Sequence, residues 1–176
     1  MGAAICTFGG TITATDIVNL VSVAGMLELR FVDAGSRAGH SAIPGRPAPA
    51  TLVLALSEGL VPNATVQGTG LALLAMDLSV KAPVPQGDTV HVDLHVTEQR
   101  ATSRLGRGLV RTRNEVVNQR GEVMMVAPPH DRWRARRSTL WPDPETTVHI
   151  AVQSGGAKCG VPWFCAKWRI FSEIRS

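Results

Sequence analysis

One short stretch limits what this chain can fold into more than any other. Val90, Val92, Leu94 and Val96 alternate strictly with His91, Asp93 and His95. Successive side chains of an extended chain point to opposite faces, so this pattern predicts a strand with one apolar and one polar side. Such a strand has unpaired N–H and C=O groups on both edges and an uncovered apolar face. It demands neighbouring strands and a second layer to pack on it.

The rest of the chain offers both. Residues 107–117 read as a second strand, Asn118-Gln119-Arg120-Gly121 as a hairpin turn, and residues 122–126 as the return. Residues 71–80 read as one more strand, and Val84-Pro85-Gln86-Gly87-Asp88 as the turn before the alternating one. For the covering layer, residues 51–60 are apolar all round in their first half, the mark of a buried helix, and Pro49 suits its start. Upstream, Thr13 or Thr15 can cap a helix whose first turn holds Asp16; Ile17, Leu20, Val21 and Ala24 share one face and Gly25 can end it. Residues 5–12 alternate loosely around Gly9-Gly10, enough for one or two short strands. Residues 35–49 read as a loop. One buried helix followed by three or four long antiparallel strands predicts an α+β fold, the sheet wrapped around the helix.

The chain has 176 residues and a formal charge of +4, and the excess is local. Through Val126 there are 10 basic and 10 acidic residues; beyond it there are 8 and 4, which supplies the whole +4. Before Val126 the aromatics are Phe8 and Phe31; after it come all four Trp residues and five prolines. A boundary at 127–130 is expected, with one domain over residues 1–126 and a basic, Trp- and Pro-containing extension over 127–176. A nucleic-acid reading based on global charge fails for the first part. The stretch 130–137, His-Asp-Arg-Trp-Arg-Ala-Arg-Arg, lacks a binding-motif context and reads as a basic linker. The longest unbroken apolar run, Leu71 to Met76, is far below the roughly 20 residues of a membrane span. The N-terminus lacks the basic start and apolar stretch of a secretory signal, so a cytoplasmic location with no membrane partner is expected. Cys6, Cys159 and Cys165 match no zinc or CxxC spacing and are expected to be reduced thiols.

Several segments in order carry a family likeness. TITATDIVNLVSVAG at 11–25, FVDA at 31–34, GRPAPATLVLALSEGLV at 45–61, KAPVPQGDTVHVDLHV at 81–96 and EVVNQRGEVMMV at 115–126 resemble successive parts of the MaoC-like hydratases. The resemblance covers roughly residues 7 to 126. It implies a hot-dog fold, a homodimer or pairing with another hot-dog subunit, and a substrate that is an acyl thioester of CoA or acyl carrier protein. It implies no cofactor and no metal. In that family an Asp and a His orient and activate one water for addition to an enoyl thioester, while N–H groups at the start of the central helix hold the thioester oxygen. Ala50 and Thr51 fall at that helix start.

The sequence departs from the family where the chemistry lies. The family segment has the form Gly-Asp-x-x-x-x-His. Gly25 is present, but Met26 holds the Asp position and Phe31 the His position, and neither side chain can move a proton. Three readings stand. The first is a hydratase with a relocated site, for which Glu28 and His40 are the nearest carboxylate and imidazole. The second is a thioesterase using Glu28 or Glu58. The third is a catalytically silent subunit that binds a thioester or an active partner, with Met26 and Phe31 filling the former site.

Two further patterns read as surface. His91 and His95 share a face with Asp93, but the two histidines lie about 13 Å apart along a strand, too far for one metal. Arg100, Arg104, Arg107, Arg111 and Arg113 form a basic run that suits either the phosphates of a thioester carrier or solvent. Residues 66–72 contain no GxGxxG, so no dinucleotide site is expected.

Overall fold

In the computed structural model of the chain, which describes residues 4–33, 35, 43, 45–65, 73–101 and 107–136 (without the side chains of 99–101, 107 and 129–136), two short strands come first. These are β1 (Ala4–Cys6) and β2 (Gly10–Thr11). Helix α1 (Ala14–Ala24) follows, started by a capping box in which the Thr13 hydroxyl accepts from the Asp16 N–H and the Asp16 carboxylate accepts from the Thr13 N–H. Gly25 ends it in the left-handed conformation, φ 63°, where a Cβ would be strained. A single turn, α2 (Leu29–Val32), leads towards the long helix α3 (Ala50–Ala64). Then come β3 (Ser79–Val80), β4 (Thr89–Ala101), β5 (Arg107–Asn118) and β6 (Val123–Arg136).

The strands form one antiparallel sheet in the order β1–β4–β5–β6–β3, with β2 also paired to β4. The alternation seen in the sequence sets the two faces of β4. Val90 and Val92 are fully buried and Leu94 and Val96 nearly so, whereas His91 and Asp93 are half-exposed and His95 is exposed. The inner face meets Val53, Leu60 and Val61 of α3 and Ile17 and Val21 of α1 in one core, completed from the later strands by Val116, Met124 and Met125. Each fully buried Val or Ile stabilises the fold by about 1.5–3 kcal/mol. Gly10 lets β2 approach the helix: a Cβ there would stand 3.1 Å from Leu56 Cδ1. The expected α+β architecture, a sheet wrapped on a central helix, is what forms.

Two readings need correction. Residues 71–80 do not make a long strand. Among the described part of that stretch, only Ser79 and Val80 pair, with Val126 and Met125. Leu73, Leu74 and Leu78 are substantially exposed, because an apolar run becomes a strand only where a neighbour's ladder is available. The return strand also runs further than residue 126. β6 continues past the change in composition to Arg136, which pairs with Arg107. Pro128 and Pro129 lie where the register shifts, between the pairs Asn114–Ala127 and Thr112–His130. Two residues there oppose the single Arg113, a bulge that absorbs the missing proline N–H groups.

Candidate functional site

The start of α3 is fixed by its surroundings. Ala48 N–H donates to the Val84 carbonyl (2.7 Å), Gln86 N–H donates to the Arg46 carbonyl (2.8 Å), and Pro47 forms a bridge with Pro85. The same turn holds the approach to α1: Gly87 N–H donates to Ile12 and Ile12 N–H to Asp88, at 2.8 and 2.9 Å. One tight turn, with Gly87 at φ 92°, thus sets the start of both helices.

That turn is itself anchored to the β5–β6 hairpin. Arg120 donates to both oxygens of the buried Asp88 carboxylate (3.0 and 2.9 Å), and Gln119 Nε2 adds a third bond at 2.8 Å. The Arg120 guanidinium holds the Asp88 carboxyl below the usual carboxylate range, against the opposing effect of burial. Asn118, fully buried, accepts from the N–H groups of Arg120 and Glu122 and donates to the Glu122 carboxylate.

At the helix start, Pro49 provides no side-chain cap; its carbonyl accepts from Leu52 and Val53. Ala50 and Thr51 are exposed, and among the described residues their N–H groups meet no acceptor. Amide donors with no acceptor among the described residues, at the positive end of a 15-residue helix, are chemically suited to a carbonyl oxygen or an anion.

The segment 25–33 flanks this region. Met26 is half-buried against the core and Phe31 is buried within it at 6% exposure. The Phe31 carbonyl accepts from both Nε and Nη2 of Arg46. Glu28 points outward and pairs with Arg30 at 3.1 Å, both side chains more than half exposed.

No protein-family model and no curated protein matches the chain. Solved structures do match. A MaoC-like dehydratase from Rhodospirillum rubrum is 22% identical, with TM-score 0.68 over 80% of this chain and 94% of that one. The R-hydratase PhaJ1 from Pseudomonas aeruginosa is 26% identical, with TM-score 0.59 over 81% and 90%. The HadBC 3R-hydroxyacyl-ACP dehydratase complex from Mycobacterium tuberculosis contains a chain 18% identical, with TM-score 0.56 over 76% and 94%. This chain has the MaoC-like hot-dog fold.

Within the MaoC-like frame the sequence-derived candidates separate. Glu28 is solvated and pairs with Arg30, so it stands outside the buried core. Glu58 lies two turns into α3, about 12 Å along the axis from Ala50. His40 lies outside the described residues, as do residues 66–72 and the side chains of Arg100, Arg104, Arg107 and His130. Arg111 pairs with Glu98 and Arg113 with Glu115 on the outer face of the sheet. Arg46 and the Asp88–Arg120 pair were not singled out from sequence. The Gly-Asp turn was legible as a turn, but nothing local names a partner 32 residues away. Among the described residues, Cys6, His91 and Asp93 form a cluster of metal-ligating type on the outer face. No helix of the described residues is long and apolar enough to cross a membrane.

Proposed function

We propose that this chain is a MaoC-like hot-dog subunit that receives an acyl thioester of CoA or acyl carrier protein at the Ala50 and Thr51 amides without supplying a hydratase's proton-transferring pair. One observation carries the reading. Phe31, which the sequence resemblance aligns with the family His, is a buried phenylalanine whose backbone is tied down by Arg46. Met26, at the Asp position, is packed against the same core. A water-activating pair needs two titratable groups within hydrogen-bond reach of one water. Apolar side chains at both positions remove the proton relay and leave the carbonyl-binding amides in place.

The reading includes a second hot-dog chain, either another copy or an active partner. Leu27 and Leu29, on the α1–α2 side, are 74% and 64% exposed, and Val23 is exposed beside them in sequence. Apolar side chains gathered at this density support coverage by another chain. A chain of similar fold belongs to the HadBC 3R-hydroxyacyl-ACP dehydratase complex.

A second reading, a hydratase with a relocated pair, draws on the 26% identity to an R-hydratase. Thioester hydrolysis has less support, since Glu28 is solvated and Glu58 stands two turns from the helix start.

Crotonyl-CoA separates these readings. Calorimetry is expected to register binding, and the enoyl absorbance is expected to stay constant in the native protein. A Met26→Asp/Phe31→His double variant that gains turnover supports the silent-subunit reading. Native turnover overturns it in favour of a hydratase. Absence of binding for both crotonyl-CoA and a crotonyl carrier-protein thioester overturns the thioester site.

A further inference from the structure

The outer face of the sheet, opposite α3, holds a group of side chains that the thioester reading does not use. Cys6 lies on β1 directly across from Asp93 on β4, and His91 stands two residues before Asp93 on the same face. One donor atom from each of Cys6, His91 and Asp93 lies within 4.8 Å of the other two, and His91 Nε2 is 3.7 Å from Asp93 Oδ1. All three side chains are half-buried, and Cys6 is not in a disulfide.

We propose that Cys6, His91 and Asp93 form a zinc site with a fourth position open to water. Tetrahedral zinc holds thiolate, imidazole and carboxylate donors at about 2.0–2.3 Å, which puts neighbouring donors about 3.3–3.8 Å apart. The His91–Asp93 separation already meets that spacing. The Cys6 Sγ lies within 4.8 Å of the other two donor atoms, so a side-chain rotation closes the triangle. A thiolate and a carboxylate carry two negative charges, which balance a divalent ion, and binding releases the Cys6 thiol proton to solvent. The soft sulfur selects zinc over magnesium or calcium. His95 plays no part: it lies about 7 Å further along the strand. Glu115, opposite Asp93 on β5, is engaged by Arg113 at 2.9 and 2.6 Å and stays outside the site. The ion would staple β1, an edge strand of three residues, onto its neighbour β4.

Cobalt(II) tests this on the reduced full chain. One equivalent is expected to produce a near-ultraviolet thiolate-to-cobalt charge-transfer band that zinc displaces. Cys6→Ser should abolish the band, and His91→Asn and Asp93→Asn should each weaken cobalt binding by about tenfold or more. Cys159→Ser/Cys165→Ser should leave the band intact. Lack of the band in the native chain overturns the proposal. So does its survival in Cys6→Ser, which would assign it to the other two thiols. Should Cys6→Ser fail to fold, unchanged affinity in both outer-face variants, His91→Asn and Asp93→Asn, overturns it equally.

Discussion

Arg46 donates through Nε and Nη2, one edge of its guanidinium, to the backbone carbonyl of Phe31, joining the loop before α3 to the single turn of α2. The two residues are 15 apart in sequence, and the bond ties down the backbone of a residue whose aromatic side chain is in the core. Arg46→Met keeps the aliphatic stem and removes the donors. The expected loss is about 1.5–3 kcal/mol, the range for hydrogen bonds from a charged group, read from urea unfolding. Faster hydrogen exchange at Phe31 and Asp33, whose N–H groups close the α2 turn, should accompany it.

Acid should weaken the fold through Asp88. Its carboxyl is held low in the folded state by Arg120, so below about pH 4 the unfolded chain binds more protons than the folded one. Stability from this group is present above that pH and is lost as pH falls through the folded-state value. Glu122 and Asp16 shift in the same direction, Glu122 through Asn118 and then Arg120, Asp16 through Thr13. Asp88→Asn is expected to lower stability at neutral pH and to flatten the acid limb of a stability–pH profile. A limb as steep as the native one would contradict this role.

The capping box makes a smaller, separable contribution. Thr13→Ala removes the acceptor for the Asp16 N–H and should cost about 1 kcal/mol, within the range of 0.5–2 for such caps. Thermal unfolding followed by circular dichroism measures it.

Core packing predicts the largest loss. Ile17 on α1 is fully buried in the core, and Ile17→Ala should destabilise by about 2–5 kcal/mol by chemical denaturation.

If a second chain covers the α1–α2 side, Leu27→Glu/Leu29→Glu should shift the native mass towards monomer in light scattering after size exclusion. An unchanged mass would move the interface elsewhere.

The elements legible in the sequence are those whose cause is local. The alternation of β4, the Thr13–Asp16 start and Gly25 end of α1, the apolar run of α3 and the Gly87 and Gly121 turns each depend on a few neighbouring residues. The ordered likeness of five segments pointed to the hot-dog frame, and the fold bears it out. The reading that Met26 and Phe31 stand at the positions of a proton-moving pair likewise rests on sequence register alone. The tertiary structure decided the rest. It reduced residues 71–80 to a two-residue strand, carried β6 to Arg136, joined Asp88 to Arg120 and Phe31 to Arg46, and set Cys6 beside Asp93. Each of these depends on groups 15 to 87 residues apart meeting in space. Local periodicity fixes which face of a strand or helix is apolar, but the partner across the ladder is chosen only when the whole sheet closes on its core.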